Sequence, residues 1–293
     1  MRPADLARLV ALGAMWGGSY LFMRIAVPHL GPTLMIELRV LVGGVLLLAF
    51  LHATGLSMDW RTHWRGWLFV AAVGTAIPFL LIAHALRTID ASTGAILNAL
   101  VPLFTTLVAA AWVRDPVTPA KAVGIALSIS GTAVLVGWTP VPMSPGELAA
   151  AGMMVAATIL YGISIVFARV KLRASSPMGT SAGTLLLAAA LLAPITPLAP
   201  DLASIPAAAW LAVLALAVVS TTVAFIFFYR LIADIGAVKA STVTLLVPVF
   251  GMVWGVIFLG EPITPGRIAG CAIILAGCAL ILGLVRIPVM RSG

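Results

Sequence analysis

Charge is what this chain has least of. Of its 293 residues only 9% are charged, against roughly 25% in an ordinary soluble domain. Hydrophobic residues make up 62%, and mean hydropathy is +1.17. No soluble core could hide that much apolar surface, so lipid is the solvent for most of the chain. Cysteine is nearly missing: Cys271 and Cys278 share one apolar run. At about 1.5 Å per helical residue they stand roughly 10 Å apart, beyond the ~7 Å reach of a disulfide. His29, His52, His63 and His84 are scattered, with no second ligand at helical spacing, and no G-x-S-x-G occurs. Metal-centred and serine-nucleophile enzymes are therefore excluded, and no cofactor motif is present. Carboxylates are also scarce, and Glu37 alone lies well inside an apolar run.

Ten apolar runs of about twenty residues remain, each long enough to cross roughly 30 Å of hydrocarbon as a helix. They are predicted at Leu6 to Val27, Thr33 to His52, Trp64 to Leu86, Ala91 to Trp112, Thr118 to Trp138, Gly146 to Val170, Met178 to Pro197, Ala207 to Leu231, Ala237 to Phe258 and Thr264 to Val285. The first run is too long for a signal-peptide core and no small-residue cleavage site follows it, so it reads as an uncleaved span. With the N-terminus inside, only Arg24, Arg87 and Arg267 fall on the outer side and Arg39 within a span; the rest of the 17 basic residues fall inside. That bias puts both termini in the cytoplasm. It also accounts for the net charge of +8 without nucleic acid, because the basic residues sit in short loops and do not share one face.

The sequence is duplicated. Asn98 to Gly137 and Thr244 to Gly283 align without a gap at an offset of about 146 residues: Pro102 with Pro248, Asp115 with Glu261, Thr118-Pro119 with Thr264-Pro265, Gly124 with Gly270, Gly131 with Gly277. Trp16-Gly-Gly-Ser-Tyr-Leu-Phe-Met-Arg24 likewise matches Tyr161-Gly-Ile-Ser-Ile-Val-Phe-Ala-Arg169. Five spans per copy is an odd number, so the second copy enters the membrane from the opposite face. The expected architecture is an all-α polytopic membrane protein of ten transmembrane helices, built as inverted five-helix repeats at residues 1–142 and 143–293.

The W-G start, Arg39 in the second span and the paired P…(D/E)-P-x-T-P…G…G endings resemble the drug/metabolite transporter superfamily, and within it the ten-helix EamA-type exporters. The resemblance implies helices around a central cavity, formed by the first, third and fourth span of each half, with the fifth and tenth at its side. On those central spans the candidate cavity residues are Trp16, Ser19, Tyr20, Pro78, His84, Asn98, Tyr161, Ser164, Thr221, Thr222 and Thr244. Aromatic rings with a polar edge suit a small zwitterion or aromatic solute. Several have a plainer reading. Gly17 and Gly162 would let Trp16 and Tyr161 serve close helix packing. The hydroxyls can bond their own helix, Asn98 can bridge helices, and His84 suits the interface. Pro102 and Pro248 are matched hinge or kink positions. Arg39 is expected to pair or cap structurally, because a charge at that depth is costly.

These features together lead us to expect a transporter of the cell inner (plasma) membrane that exports small metabolites, amino acids foremost, by alternating access. The resemblance supplies a contrast: small four-helix multidrug relatives carry a first-span glutamate for proton exchange, and this first span has no carboxylate. Facilitated movement of a neutral or zwitterionic solute is expected, with a proton-coupled multidrug or other metabolite exporter as the alternative. The partners implied are the solute and the lipid bilayer; no oligomeric state follows.

Overall fold

The chain is represented by a computed structural model that describes residues 2–137, 143–196 and 204–285, with backbone alone at 237–238. The expected span ends Trp138 and Pro197, the boundary at Pro142, and Arg286 and Arg291 lie outside the described residues. All regular structure among the described residues is helical. Thirteen α-helices are numbered in chain order, beginning with α1 (Pro3–Ala53), α2 (Trp60–Ala71), α3 (Ile77–Ala85), α4 (Ala91–Asn98), α5 (Val101–Val113), α6 (Pro119–Gly137) and α7 (Pro145–Lys171). There follow α8 (Pro177–Leu192), α9 (Ala207–Ala217), α10 (Ala224–Ile235), α11 (Ala237–Ala240), α12 (Val243–Leu259) and α13 (Pro265–Ile281).

Local chemistry sets the ends. Proline opens α6, α7, α8 and α13, where its missing N–H costs nothing. The residue before it caps the first turn: Ser144 accepts from Glu147 N at 3.3 Å, Ser176 from Gly179 N at 3.2 Å, and Thr264 from Arg267 N at 3.3 Å. Seven helical runs are apolar and at least 18 residues long, with α12 and α13 slightly shorter, so the chain is a polytopic membrane protein. Its outer faces suit lipid, with Leu211 65% and Ile257 63% exposed.

The 51 residues of α1 would measure about 76 Å if straight, more than twice the hydrocarbon thickness. They are not straight. Gly31, between Pro28 and Pro32, has φ 70° and ψ 162°, which breaks α1 into two arms. That conformation is open to glycine and costly for any residue with a Cβ.

The offset that pairs the sequence motifs also pairs structural details. A π turn joins α2 to α3 at Ala72–Ala76, and another joins α9 to α10 at Val218–Val223. α5 ends on Arg114 at φ 56° and α12 on Gly260 at φ 63°. Each is followed by an acid whose N–H returns six residues: Asp115 to the Ala109 carbonyl at 3.2 Å and Glu261 to the Gly255 carbonyl at 3.1 Å. Gly17 of α1 faces Phe250 and Gly251 of α12, and Gly162 of α7 faces Phe104 and Thr105 of α5. A Cβ at Gly17 would lie 2.9 Å from the Gly251 nitrogen, and one at Gly162 would lie 2.9 Å from the Thr105 nitrogen. α6 and α13 pack side by side on Gly124, Gly131, Gly270 and Gly277, where small residues let backbones touch.

Nothing lies within 4 Å of a Cβ built on Gly31, so replacement there tests backbone conformation alone. Gly31→Ala should lower stability by about 1–3 kcal/mol in thermal unfolding of the purified protein. Gly152→Ala, equally unobstructed but inside α7, should be neutral or slightly stabilising.

Candidate functional site

The helices enclose a cavity of about 350 Å³. Its wall takes Trp16, Ser19, Tyr20, Met23 and Arg39 from α1, Phe79 and Ile82 from α3, and Asn98 from α4. To these are added Tyr161 and Ile165 of α7, Thr184 and Leu185 of α8, Phe225 of α10, and Thr244 and Val247 of α12. Gly74, Thr75 and Ser220 of the two π turns, with Ala99, Val101 and Pro102, complete the wall.

Most of these positions come in pairs at the repeat offset: Trp16 with Tyr161, Tyr20 with Ile165, Gly74 with Ser220, Phe79 with Phe225, Asn98 with Thr244, Val101 with Val247. The aromatic contacts are paired too. Trp16 meets Phe225 edge-on at 6.5 Å between centroids, and Tyr161 meets Phe79 edge-on at 6.4 Å. The wall is mostly apolar, with polar groups at separate points, as solute pockets are.

Of the eleven expected cavity residues, Trp16, Ser19, Tyr20, Asn98, Tyr161 and Thr244 come together in this wall. Pro78, His84, Ser164, Thr221 and Thr222 do not line it. His84 is exposed, and its Nδ1 lies 2.8 Å from the Leu80 carbonyl of its own helix. Ser164 is buried against Gly74. Thr221 and Thr222 are turned into the second π turn, donating to the Leu216 and Ala217 carbonyls at 2.9 and 3.1 Å. A π turn widens the ring to five residues and exposes a carbonyl that a hydroxyl at i+5 can reach.

Pro102 opens α5 and lies in the wall, whereas Pro248 sits inside α12 behind Val247. Neither proline can donate to the residue four earlier, which leaves the carbonyls of Asn98 and Thr244 without that helical partner at wall positions. Sequence reasoning passed over Phe79 and Phe225, although their matched spacing was visible. It also placed Arg39 as a structural charge. In the structure Arg39 is 6% exposed yet borders the cavity. Its Nε donates to Thr221 Oγ1 at 3.1 Å, and its Cζ stands 4.0 Å from the centroid of Phe79. Glu37 is buried and outside the wall, with Oε2 unpartnered among the described residues.

The two ends of the helix array differ. At one end Glu261 accepts from Ala91 N at 2.7 Å, from Ser92 N at 2.9 Å and from the Ser92 hydroxyl, which fastens it onto the start of α4. Arg267 pairs with Asp90, and Arg24 donates to the Leu86 carbonyl. Ala95 and Ser92 of α4 fill the space over Gly251 and Gly255 of α12. At the matched positions of the other end, Asp115 pairs with Arg169 at 3.3 Å and Lys121 at 3.9 Å, and α11 packs along α10.

The EamA-like transporter family model matches this sequence twice, over residues 6–137 and 148–283. The chain belongs to that family. As a family member with several apolar spans it is a multi-pass membrane protein, in bacteria of the inner membrane, and a transporter of small solutes. It is similar to the uncharacterized transporter YoaV of Bacillus subtilis, 21% identical over 92% of this chain and 93% of that one. An uncharacterized transporter of Archaeoglobus fulgidus is 23% identical, over 91% of this chain and 94% of the other. A solved crystal structure has the same fold, with a TM-score of 0.67 and 23% identity over 96% of both chains.

Within this EamA protein Thr221 ties the cavity arginine to the π turn. Thr221→Val keeps the shape but leaves the Arg39 Nε–H and the Leu216 carbonyl unpaired, and should cost about 1–3 kcal/mol in thermal unfolding. Thr184→Val should cost less than about 1 kcal/mol, because among the described residues the Thr184 hydroxyl bonds the Ser181 carbonyl of its own helix alone, at 3.0 Å.

Proposed function

We propose that the chain crosses the membrane ten times as two inverted five-helix repeats, with both termini cytoplasmic, and exports small metabolites, amino acids foremost, by alternating access. Ten crossings follow if the two arms of α1 count separately and the shorter α12 and α13 each span. Inversion is supported by the paired wall residues, π turns and left-handed helix ends, because five crossings separate each feature from its copy.

The observation that carries alternating access is the difference between the two ends. Around one repeated geometry, the acid of one copy caps α4 and the acid of the other is held by basic neighbours. In the alternate state the roles exchange: Asp115 turns to the start of α11, and Glu261 leaves α4 for Arg24 and Arg267. The charge bias supports an outer position for the latched end, and the state described is then read as closed outward.

Transport is facilitated on this reading. The described wall contains no carboxylate to carry a proton through the cavity. Protein in liposomes loaded with unlabelled amino acids should take up labelled ones by saturable counterflow, at a rate unchanged by an imposed pH gradient. A rate that follows the pH gradient would favour the proton-coupled alternative, and no counterflow of any small solute would remove the transport reading.

A further inference from the structure

The inference rests on the cavity being a solute path and concerns what that path selects. Among the described residues Arg39 is the one charged group in the wall. It is 94% removed from solvent, on a chain whose surroundings are lipid. A guanidinium at that depth is costly unless an anion answers it. None does: among the described residues Arg39 has no ion pair, and Nε to Thr221 is its one hydrogen bond. The terminal nitrogens, five bonds' worth of donors less one, are left for a guest. Phe79 under the guanidinium and Thr221 at Nε fix its plane, and a fixed fork suits a two-oxygen acceptor. Glu37 lies outside the wall and forms no bridge to it.

The pairing of the two repeats makes the charge more pointed. Position 39 corresponds to Thr184, an uncharged residue in the same wall. The duplicated architecture therefore does not require an arginine there. A second group is also left open. Among the described residues Asn98 Oδ1 is buried without a donor in the same wall, whereas the hydroxyl of its counterpart Thr244 is used within its own turn, on the Ser241 carbonyl at 2.8 Å. An unpaired amide oxygen in a membrane-embedded wall calls for an N–H. Met23, Ile82, Leu185 and Val247 add apolar surface to the same wall.

We infer that Arg39 binds the carboxylate of the transported solute and that Asn98 accepts a hydrogen bond from its amino group. The solute class is thus a monocarboxylate with an apolar body and an N–H donor. One arginine without a second cation suits a carboxylate better than a phosphate dianion. The terminal nitrogens of Arg39 and the amide oxygen of Asn98 then become the wall's selectivity filter for the charged end and the nitrogen of the solute.

The test reads binding apart from transport, through ligand stabilisation of the purified full-length protein against heat. The probes are L-leucine, L-leucinamide and 4-methylpentanoate. Leucine and 4-methylpentanoate should raise the unfolding midpoint, and leucinamide should bind at least tenfold more weakly than leucine. Arg39→Gln should abolish both shifts and Arg39→Lys should keep part of them. Asn98→Leu should reduce the leucine shift to that of 4-methylpentanoate. Leucinamide stabilising as well as leucine, no shift from either acid, or acid shifts that survive Arg39→Gln would overturn the assignment; the acid and amide comparison on the unaltered protein decides even if that variant fails to fold. A leucine advantage that persists in Asn98→Leu would overturn the role of Asn98. Binding of the acids without counterflow would refute the transport reading and leave Arg39 only as a carboxylate-binding residue of the cavity, and counterflow with preference for the amide would keep the transport reading and overturn the role of Arg39.

Discussion

The start of a helix is an electrostatic problem, and α4 solves it with a borrowed carboxylate. Its first backbone donors have no partner within the helix. Glu261, 170 residues later in the chain, supplies both oxygens to Ala91 and Ser92. The attachment draws α12 against α4 and seats Ala95 on Gly251. On the proposed alternating-access reading, whichever copy holds the other's helix start decides which end is shut. Asp115, one methylene shorter and flanked by Arg169 and Lys121, is the matching acid with its charge engaged elsewhere.

The cavity inherits the same duplication. Trp16 on Phe225 and Tyr161 on Phe79 repeat one aromatic arrangement on opposite sides, and the two π turns place Gly74 and Ser220 at corresponding points of the wall. A wall built twice is nearly neutral toward direction, which suits a carrier that works through either end. Arg39 departs from that balance, and a departure in charge within an otherwise repeated, apolar wall has chemical meaning.

Much of the architecture was legible because its determinants are local. Proline after Ser or Thr marked helix starts, Thr118-Pro119 and Thr264-Pro265 among them, and acid-proline turns marked the ends. The glycines of α6 and α13 were visible as a repeated pattern, and the structure adds that the two helices meet on them. The wall was legible where a residue's type suffices, as with Trp16, Tyr161 and Asn98. It was not legible where a side chain's direction depends on irregular backbone. Thr221 and Thr222 look like wall hydroxyls on a regular helix, but the π turn rotates them onto carbonyls five residues back. Nor does the matched spacing of Pro102 and Pro248 reveal that one opens a helix and the other lies within one. A search for matched apolar and aromatic positions about 146 residues apart on the central spans would have brought in Phe79 with Phe225 and Val101 with Val247.

The central claim is that one cavity opens to each face of the membrane in turn and that Glu261 holds the outer face shut. A single cysteine at Ser19, in the wall, tests it in protein whose Cys271 and Cys278 are replaced by serine. A membrane-impermeant thiol reagent should label that cysteine from the cytoplasmic side only, and the further change Glu261→Gln should add labelling from the outside. Labelling from neither side in both proteins, or outside labelling unaffected by Glu261→Gln, would contradict the account.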